Sequence, residues 1–264
     1  MGAKVFGFGR QKKANYVISL FDQETGNLVG LVDGYVVTAY RTAATSAVAV
    51  DRMAAAKPVT VAILGSGLEA SMHLEAIAAV RDIAAVQVFS PTAEKRDRFA
   101  ATYQTQLGRP CRSMASPEAA VLGADVVVAA ARSYGEKPIL LGSWLRPGMM
   151  VVSIGSTLPE QREIDEKTVE VCDFIICDMV EEVTQETGDM IAAAAAGVSF
   201  ASKVVSLNQL MCKDVDSQAA KAKLPMYKSV GSALQDIVVA GLAFDRAREQ
   251  DMAPALSAAF LTKG

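Results

Sequence analysis

The chain of 264 residues is poor in several residue types, and each scarcity closes off a class of chemistry. Histidine occurs once, as His73. With one histidine and no cysteine cluster, a zinc site is not expected, and no other metal site is predicted. A Ser-His-Asp triad would have to use His73, whose place in a helical pattern predicts a packed helix-face residue instead. The four cysteines (Cys111, Cys172, Cys177, Cys212) contain no C-x-x-C pair, which predicts buried free thiols in a reducing compartment, the cytoplasm. The net charge of −3 offers no basic footprint for nucleic acid. No apolar run approaches the roughly 20 residues of a membrane helix. Lys4, Arg10, Lys12 and Lys13 flank no apolar stretch of signal-peptide kind. Internal repeats and low-complexity linkers are also lacking.

Apolar residues, in contrast, make up 51% of the chain, enough for one large core or two modest ones. Residues 16–40 read as a β-meander. Its strands are Tyr16–Asp22, Leu28–Val32 and Tyr35–Tyr40, joined by a turn at 24–27 and a tight hairpin at Asp33-Gly34. An Ala-rich helix then starts at Arg41 and runs to about Ala56, where Lys57-Pro58 breaks it. From there strands and helices alternate: strands at 59–64, 86–90, near Arg112, 125–130, 149–154 and 173–177, helices at about 93–107 and from Pro117. Near-continuous apolar strands predict a parallel sheet covered on both faces. The tail from Lys228 to Lys263 reads as mainly helical.

The run Val59-Thr60-Val61-Ala62-Ile63-Leu64 leads directly into Gly65-Ser66-Gly67-Leu68-Glu69-Ala70, a G-x-G-x-x-A at a strand-to-helix turn. Gly65 permits the tight turn, Gly67 lets backbone approach a pyrophosphate, and Ala70 lets the helix lie close on the sheet. Amides at the start of that helix, at Leu68 and Glu69, suit phosphate. An NAD site usually places an acid at the end of the second strand. This chain has Ser90, followed by Thr92, Lys95 and Arg96, which favours NADP, with NAD possible. Arg41 carries a fork suited to a carboxylate or a pyrophosphate oxygen. Thr42, at the expected helix start, adds N–H donors. Asp178, Glu181, Glu182, Glu186 and Asp189 form an acidic group, most of it expected to be solvated.

DGYVVTAYRTAATSAVA (33–49), GSGLEA (65–70), GADVVV (123–128), PGMMVVSIGSTLPEQREID (147–165) and YKSVGSALQD (227–236) occur in one order over nearly the whole chain. In these segments the chain resembles the ornithine cyclodeaminase/mu-crystallin family. The resemblance implies an α/β fold with a Rossmann-type dinucleotide-binding domain at about 52–226. It also implies a smaller, discontinuous, β-rich dimerisation and substrate domain at 1–51 and 227–264. Family members carry an N-terminal segment before the equivalent of Lys4, with an arginine for the substrate carboxylate, so a shortened form or a misplaced start is expected here. By resemblance Lys4 and Arg41 hold the carboxylate of a small imino or amino acid. Arg41, Thr42, Ala131 and the stretch Ile154-Gly155-Ser156 adjoin the cofactor, and Val230 and Gly231 line the nicotinamide pocket. Asp236 is expected to be a structural hydrogen-bond acceptor. Thr157 takes the place where cyclodeaminases carry a catalytic aspartate. The leading expectation is therefore an NAD(P)-dependent oxidoreductase at a C–N bond, of the ketimine reductase or amino-acid dehydrogenase kind. The alternatives are an ornithine cyclodeaminase or a cofactor-binding, mu-crystallin-like protein with little turnover. A homodimer is implied as well.

Overall fold

A computed structural model describes residues 1–8, 14–131 and 137–255. The chain divides into two compact units, Met1–Arg41 with Gly231–Gly264, and Thr42–Val230. The basic residues Arg10, Lys12 and Lys13, and the tail beyond residue 255, lie outside the described residues.

The first unit opens with β1 (Gly2–Phe8), β2 (Ala14–Phe21) and β3 (Leu28–Asp33), an antiparallel sheet in that order. The strand β1 was not foreseen. The turn between β2 and β3 is built by Asp22, whose Oδ1 accepts the amides of Glu24 and Thr25 and the Thr25 hydroxyl. Helix α1 (Gly34–Met53) follows at once. The expected hairpin at Asp33-Gly34 and the expected strand Tyr35–Tyr40 are thus both wrong. Tyr35, Val36, Val37 and Thr38 have strand propensity, but packing overrides it. As a helix the segment turns Val37 onto Ile18 and Leu20 of β2 and leaves Tyr35, Val36 and Tyr40 exposed. The Asp33 carboxylate accepts the amide of Tyr35 at 2.8 Å and starts the helix.

The second unit is doubly wound. In chain order it holds β4 (Val59–Leu64), α2 (Leu68–Val80), β5 (Ile83–Phe89), α3 (Ala93–Leu107), β6 (Cys111–Ser113), α4 (Pro117–Val121) and β7 (Val126–Ala129). Then come β8 (Met150–Ser153), α5 (Glu166–Val171), β9 (Phe174–Cys177), α6 (Val180–Glu186) and α7 (Gly188–Ala195). It closes with β10 (Val204–Ser206), α8 (Leu207–Met211), α9 (Asp216–Ala219) and β11 (Pro225–Lys228). All neighbours pair in parallel, in the order β10-β9-β11-β8-β7-β4-β5-β6. Val61 and Ile63 enter one core and Ala62 and Leu64 the other, so both faces of the sheet are covered. Each such Val or Ile contributes roughly 1.5–3 kcal/mol relative to exposure. The strands β10 and β11 were not foreseen; β11 is short, begins at a proline and ends in a lysine. Cys111, Cys172 and Cys177 are buried, whereas Cys212 is exposed, against expectation. Helix α10 (Ala233–Glu249) belongs to the first unit, where Ala240, Ile237 and Phe244 complete the small core.

His73 is fully buried on α2 with Ala70, Leu74 and Ile77. Its Nδ1 lies 2.7 Å from the Glu69 carbonyl and its Nε2 3.0 Å from the Ser46 hydroxyl, partners that select the neutral ring protonated on Nδ1. Burial pulls its pKa from 6.5 down to about 4. The unfolded chain therefore binds the extra proton first, and this residue's contribution to stability is lost as pH falls from 6.5 through 4. His73→Asn keeps a donor for the carbonyl and removes the titration. The difference in urea-unfolding free energy between wild type and His73→Asn should shrink by on the order of 1–3 kcal/mol between pH 7 and pH 4.5. A constant difference would show that the folded chain binds the His73 proton as readily as the unfolded chain does.

Candidate functional site

The turn after β4 is shaped by two different demands. Gly65 has φ +133°, and a Cβ there would sit 2.5 Å from the carbonyl oxygen of Ala130. The protein itself therefore requires glycine at this point. Gly67 is different: its φ is −93°, and a Cβ there would meet none of the described residues within 4 Å. No side chain caps α2. Its first helical bond runs from Ser71 N to Gly67 O, so the amides of Leu68, Glu69 and Ala70 stand at the positive end of the helix. Ala70 is fully buried against the sheet. The described residues thus leave space above Gly67 in which the pyrophosphate of a dinucleotide could be held. It lies at the carboxyl end of β4, where the chain runs outward through β5 and β6 and returns on the other side at β7. Ligands bind at such a switch point in doubly wound sheets.

At the end of β5, Ser90 is buried and accepts a hydrogen bond from the Ser66 hydroxyl at 2.9 Å. Its hydroxyl thus ties the two phosphate-side loops together. Arg96 donates from Nη1 to the Ser90 carbonyl at 3.0 Å and lies over the Phe89 ring, 5.8 Å from its centroid. Its Nε is buried with no hydrogen-bond partner among the described residues. Thr92 and Lys95 are exposed, and Thr92 precedes α3 without using its side chain as a cap.

Glu163, which the sequence reading did not single out, organises the next strand ends. Its carboxylate is fully buried. Oε2 accepts from the Ser153 hydroxyl at 2.7 Å and from the amides of Ile154 and Gly155, each at 2.9 Å. Oε1 accepts from the amide of Ala131 at 3.3 Å. The amides of three expected cofactor residues therefore point at Glu163. A Cβ on Gly155 would run into this carboxyl group. Lys228, also fully buried, donates to Ser153 Oγ and to the Ser156 carbonyl, at 3.1 and 3.2 Å, and its Nζ forms an ion pair with Asp189 Oδ2 at 3.0 Å. Asp189 is fully buried, in contrast to the solvated acid expected, and its Oδ1 accepts the amide of Glu163. Glu181 and Glu186 of the same acidic group are exposed. Asp178 is part-buried and accepts the Ser229 hydroxyl at 2.7 Å and the Val230 amide at 3.1 Å. The Ser156 hydroxyl is turned inward to the carbonyl of Gln161, and Thr157 gives both its amide and its hydroxyl to Gln161 Oε1 at 2.9 and 3.1 Å.

In the first unit, Lys4 sits within β1 in register with Ile18. Its Nζ donates to Asp236 Oδ2 at 3.0 Å and to Thr38 Oγ1 at 2.5 Å. Arg41 Nε donates to Asp236 Oδ1 at 2.9 Å, and Gly231, with φ +83°, makes room for that guanidinium. Asp236 thus accepts from both cations. Arg41 lies inside α1 and not at a strand-to-helix junction, which corrects the expectation for Thr42 as well. The Thr42 amide falls mid-helix, where the helix ladder takes it, so it is no terminal donor.

A parallel sheet with a glycine turn at its switch point defines a Rossmann-type fold with a candidate dinucleotide site. The family model of the ornithine cyclodeaminase/mu-crystallin family matches residues 8–251, and the chain belongs to that family. It is 32% identical over 228 residues to the ketimine reductase mu-crystallin of Macropus fuliginosus, covering 86% of this chain and 68% of the relative. It is 29% identical over 245 residues to a Delta(1)-pyrroline-2-carboxylate reductase of Bacillus cereus, covering 91% and 73%. Among solved structures, the Delta(1)-pyrroline-2-carboxylate reductase of Thermococcus litoralis in complex with NADH and L-proline superposes with a TM-score of 0.85. That match is 26% identical and covers 97% of this chain and 80% of the neighbour. No helix among the described residues is long and apolar enough to cross a membrane.

Proposed function

We propose that the chain is an NAD(P)-dependent reductase of the C=N bond of a small imino acid. The observation that carries this reading is the turn at Gly65–Gly67: one glycine demanded by packing, the other left facing open space at the switch point. The relatives, reductases of a ketimine and of pyrroline-2-carboxylate, support this reaction class. Bound nicotinamide supplies a hydride. The amides of Leu68 and Glu69 and the open backbone at Gly67 hold the pyrophosphate. Lys4 and Arg41 bind the substrate carboxylate, two cations brought together on the carboxylate of Asp236. Asp236 fixes both side chains in place. Thr157 is a polar neutral wall, sufficient for an imine that arrives already protonated. Exposed Val5, Phe6 and Val17 on the first unit suit a homodimer. The test is oxidation of NADPH and NADH followed at 25 °C with cyclic imino acids, and with 2-oxo acids plus amines. Absence of oxidation with every member of both sets would sink the reading.

The cofactor is proposed to be NADP. The motivation is a serine at position 90 and Arg96 beside it with an unpartnered Nε. Ser90→Asp should shift the NADPH-to-NADH preference by about tenfold or more toward NADH, through repulsion of the 2′-phosphate. Tighter binding of NADH than NADPH by the wild type would refute the assignment.

A further inference from the structure

We propose that Glu163 is a positioning residue whose ionised carboxylate sets the backbone at the ends of β7 and β8 for the dinucleotide. The inference rests on the cofactor reading above and deepens it. Four donors from two separate strand ends converge on this one side chain: Ser153 at the end of β8 with Ile154 and Gly155 after it, and Ala131 after β7. Both strand ends lie on the carboxyl side of the parallel sheet, next to the switch point. Packing alone does not call for a carboxylate here, and burying one is unfavourable unless it is fully bonded. The sequence also keeps glycine at 155, where any larger residue would expel the carboxyl group.

The charge is held by partners from other elements. Lys228 at the end of β11 reaches Glu163 through the Ser153 hydroxyl, which accepts from Nζ and donates to Oε2. Asp189 of α7 takes the Lys228 ammonium directly and opposes a second negative charge nearby. Arg162, adjacent in the chain, lies 3.5 Å from Asp189. Burial raises Glu163 to about 7, partly offset by Lys228 and by the amide and hydroxyl donors. A proton on the carboxyl group removes acceptor capacity where the Ser153 hydroxyl and the amides of Ala131, Ile154 and Gly155 all donate to it. At least one of the four bonds must then open, and the two strand ends are no longer tied.

The apo protein tests the tie without cofactor. The amide resonances of Ala131, Ile154 and Gly155 should shift together with one midpoint near pH 7 in wild type. Fluorescence titration with NADH, which lacks the titrating 2′-phosphate, should show affinity weakening as pH falls through that midpoint. Glu163→Gln should bind NADH at least about tenfold more weakly at pH 8 and with no pH dependence across this range. Amides that shift in apo wild type, in a protein that binds no dinucleotide, would overturn the cofactor reading and the positioning role with it, leaving only a structural tie. Dinucleotide binding that is flat with pH, together with amides that do not shift between pH 6 and 8, would overturn the inference alone. Should Glu163→Gln not fold, these two wild-type profiles decide the matter.

Discussion

Gly67→Val should fold and should lose dinucleotide binding, with the dissociation constant for NADPH and NADH raised at least about 100-fold. The structure separates the two outcomes. A Cβ at position 67 meets no atom of the described residues within 4 Å, and the φ of −93° is open to any L-residue. The expected stability change is that of a poorer residue before a helix, roughly 1 kcal/mol. The valine methyl groups would instead fill the space in which a pyrophosphate meets the amides of Leu68 and Glu69. Hydrogen bonds to a charged group contribute about 1.5–3 kcal/mol each, so losing two of them gives the stated factor. Gly65→Ala is the contrasting change. With φ at +133° and the Ala130 carbonyl 2.5 Å from the new Cβ, it strains the junction of β4 with β7 and should lower the melting temperature as well. Circular dichroism melts with cofactor fluorescence titrations distinguish the two variants. Unchanged NADPH affinity in folded Gly67→Val would remove the cofactor from this turn.

The core of the second unit was legible in the sequence because its strands are apolar on both faces and its turns carry glycine at defined offsets. Val59–Leu64 followed by Gly65-Ser66-Gly67 determines strand, turn and helix through local chemistry alone. Segments whose conformation depends on distant partners were not legible in this way. Tyr35–Tyr40 has the composition of a strand and becomes helix only because Val37 finds Ile18 and Leu20 across the small unit. The buried ion network was hidden for a related reason. Glu163, Asp189 and Lys228 come from three segments and look solvated one at a time; only the sheet order, with β11 inserted between β8 and β9, brings Lys228 to Ser153 and Asp189. The available signal was Gly155 after an apolar strand followed by an acid eight residues on, but spacing across a loop fixes no contact. Asp236 was read as a structural acceptor, and it has that role toward Lys4 and Arg41.

Ornithine should give little or no proline and ammonia with this chain, and Thr157 is the reason. Cyclodeamination needs a base to move protons on the amino group while the side-chain ammonium is held for ring closure. A carboxylate does both. Threonine is neutral through the whole working pH range, and here its hydroxyl and amide are already given to Gln161 Oε1. Imine reduction makes no such demand, since a protonated imine already carries its proton. Thr157→Asp should therefore raise any trace of ammonia release by about 10²-fold or more, the usual contribution of a placed general base being about 10²–10⁴. The Gln161 amide then rotates to present its NH₂ to the new carboxylate, at the cost of the bond its Oε1 accepts from the backbone amide of residue 157. Thr157→Ala, which removes the hydroxyl and keeps the backbone bond to Gln161, should leave imine reduction within roughly tenfold of wild type. Ammonia from ornithine, NADPH consumption with a cyclic imine, and affinity for NADPH would be measured on all three proteins. Efficient ammonia release by the unmodified chain would require a carboxylate elsewhere. The part-buried Asp178, which holds Ser229 and the Val230 amide, is then the residue to replace next.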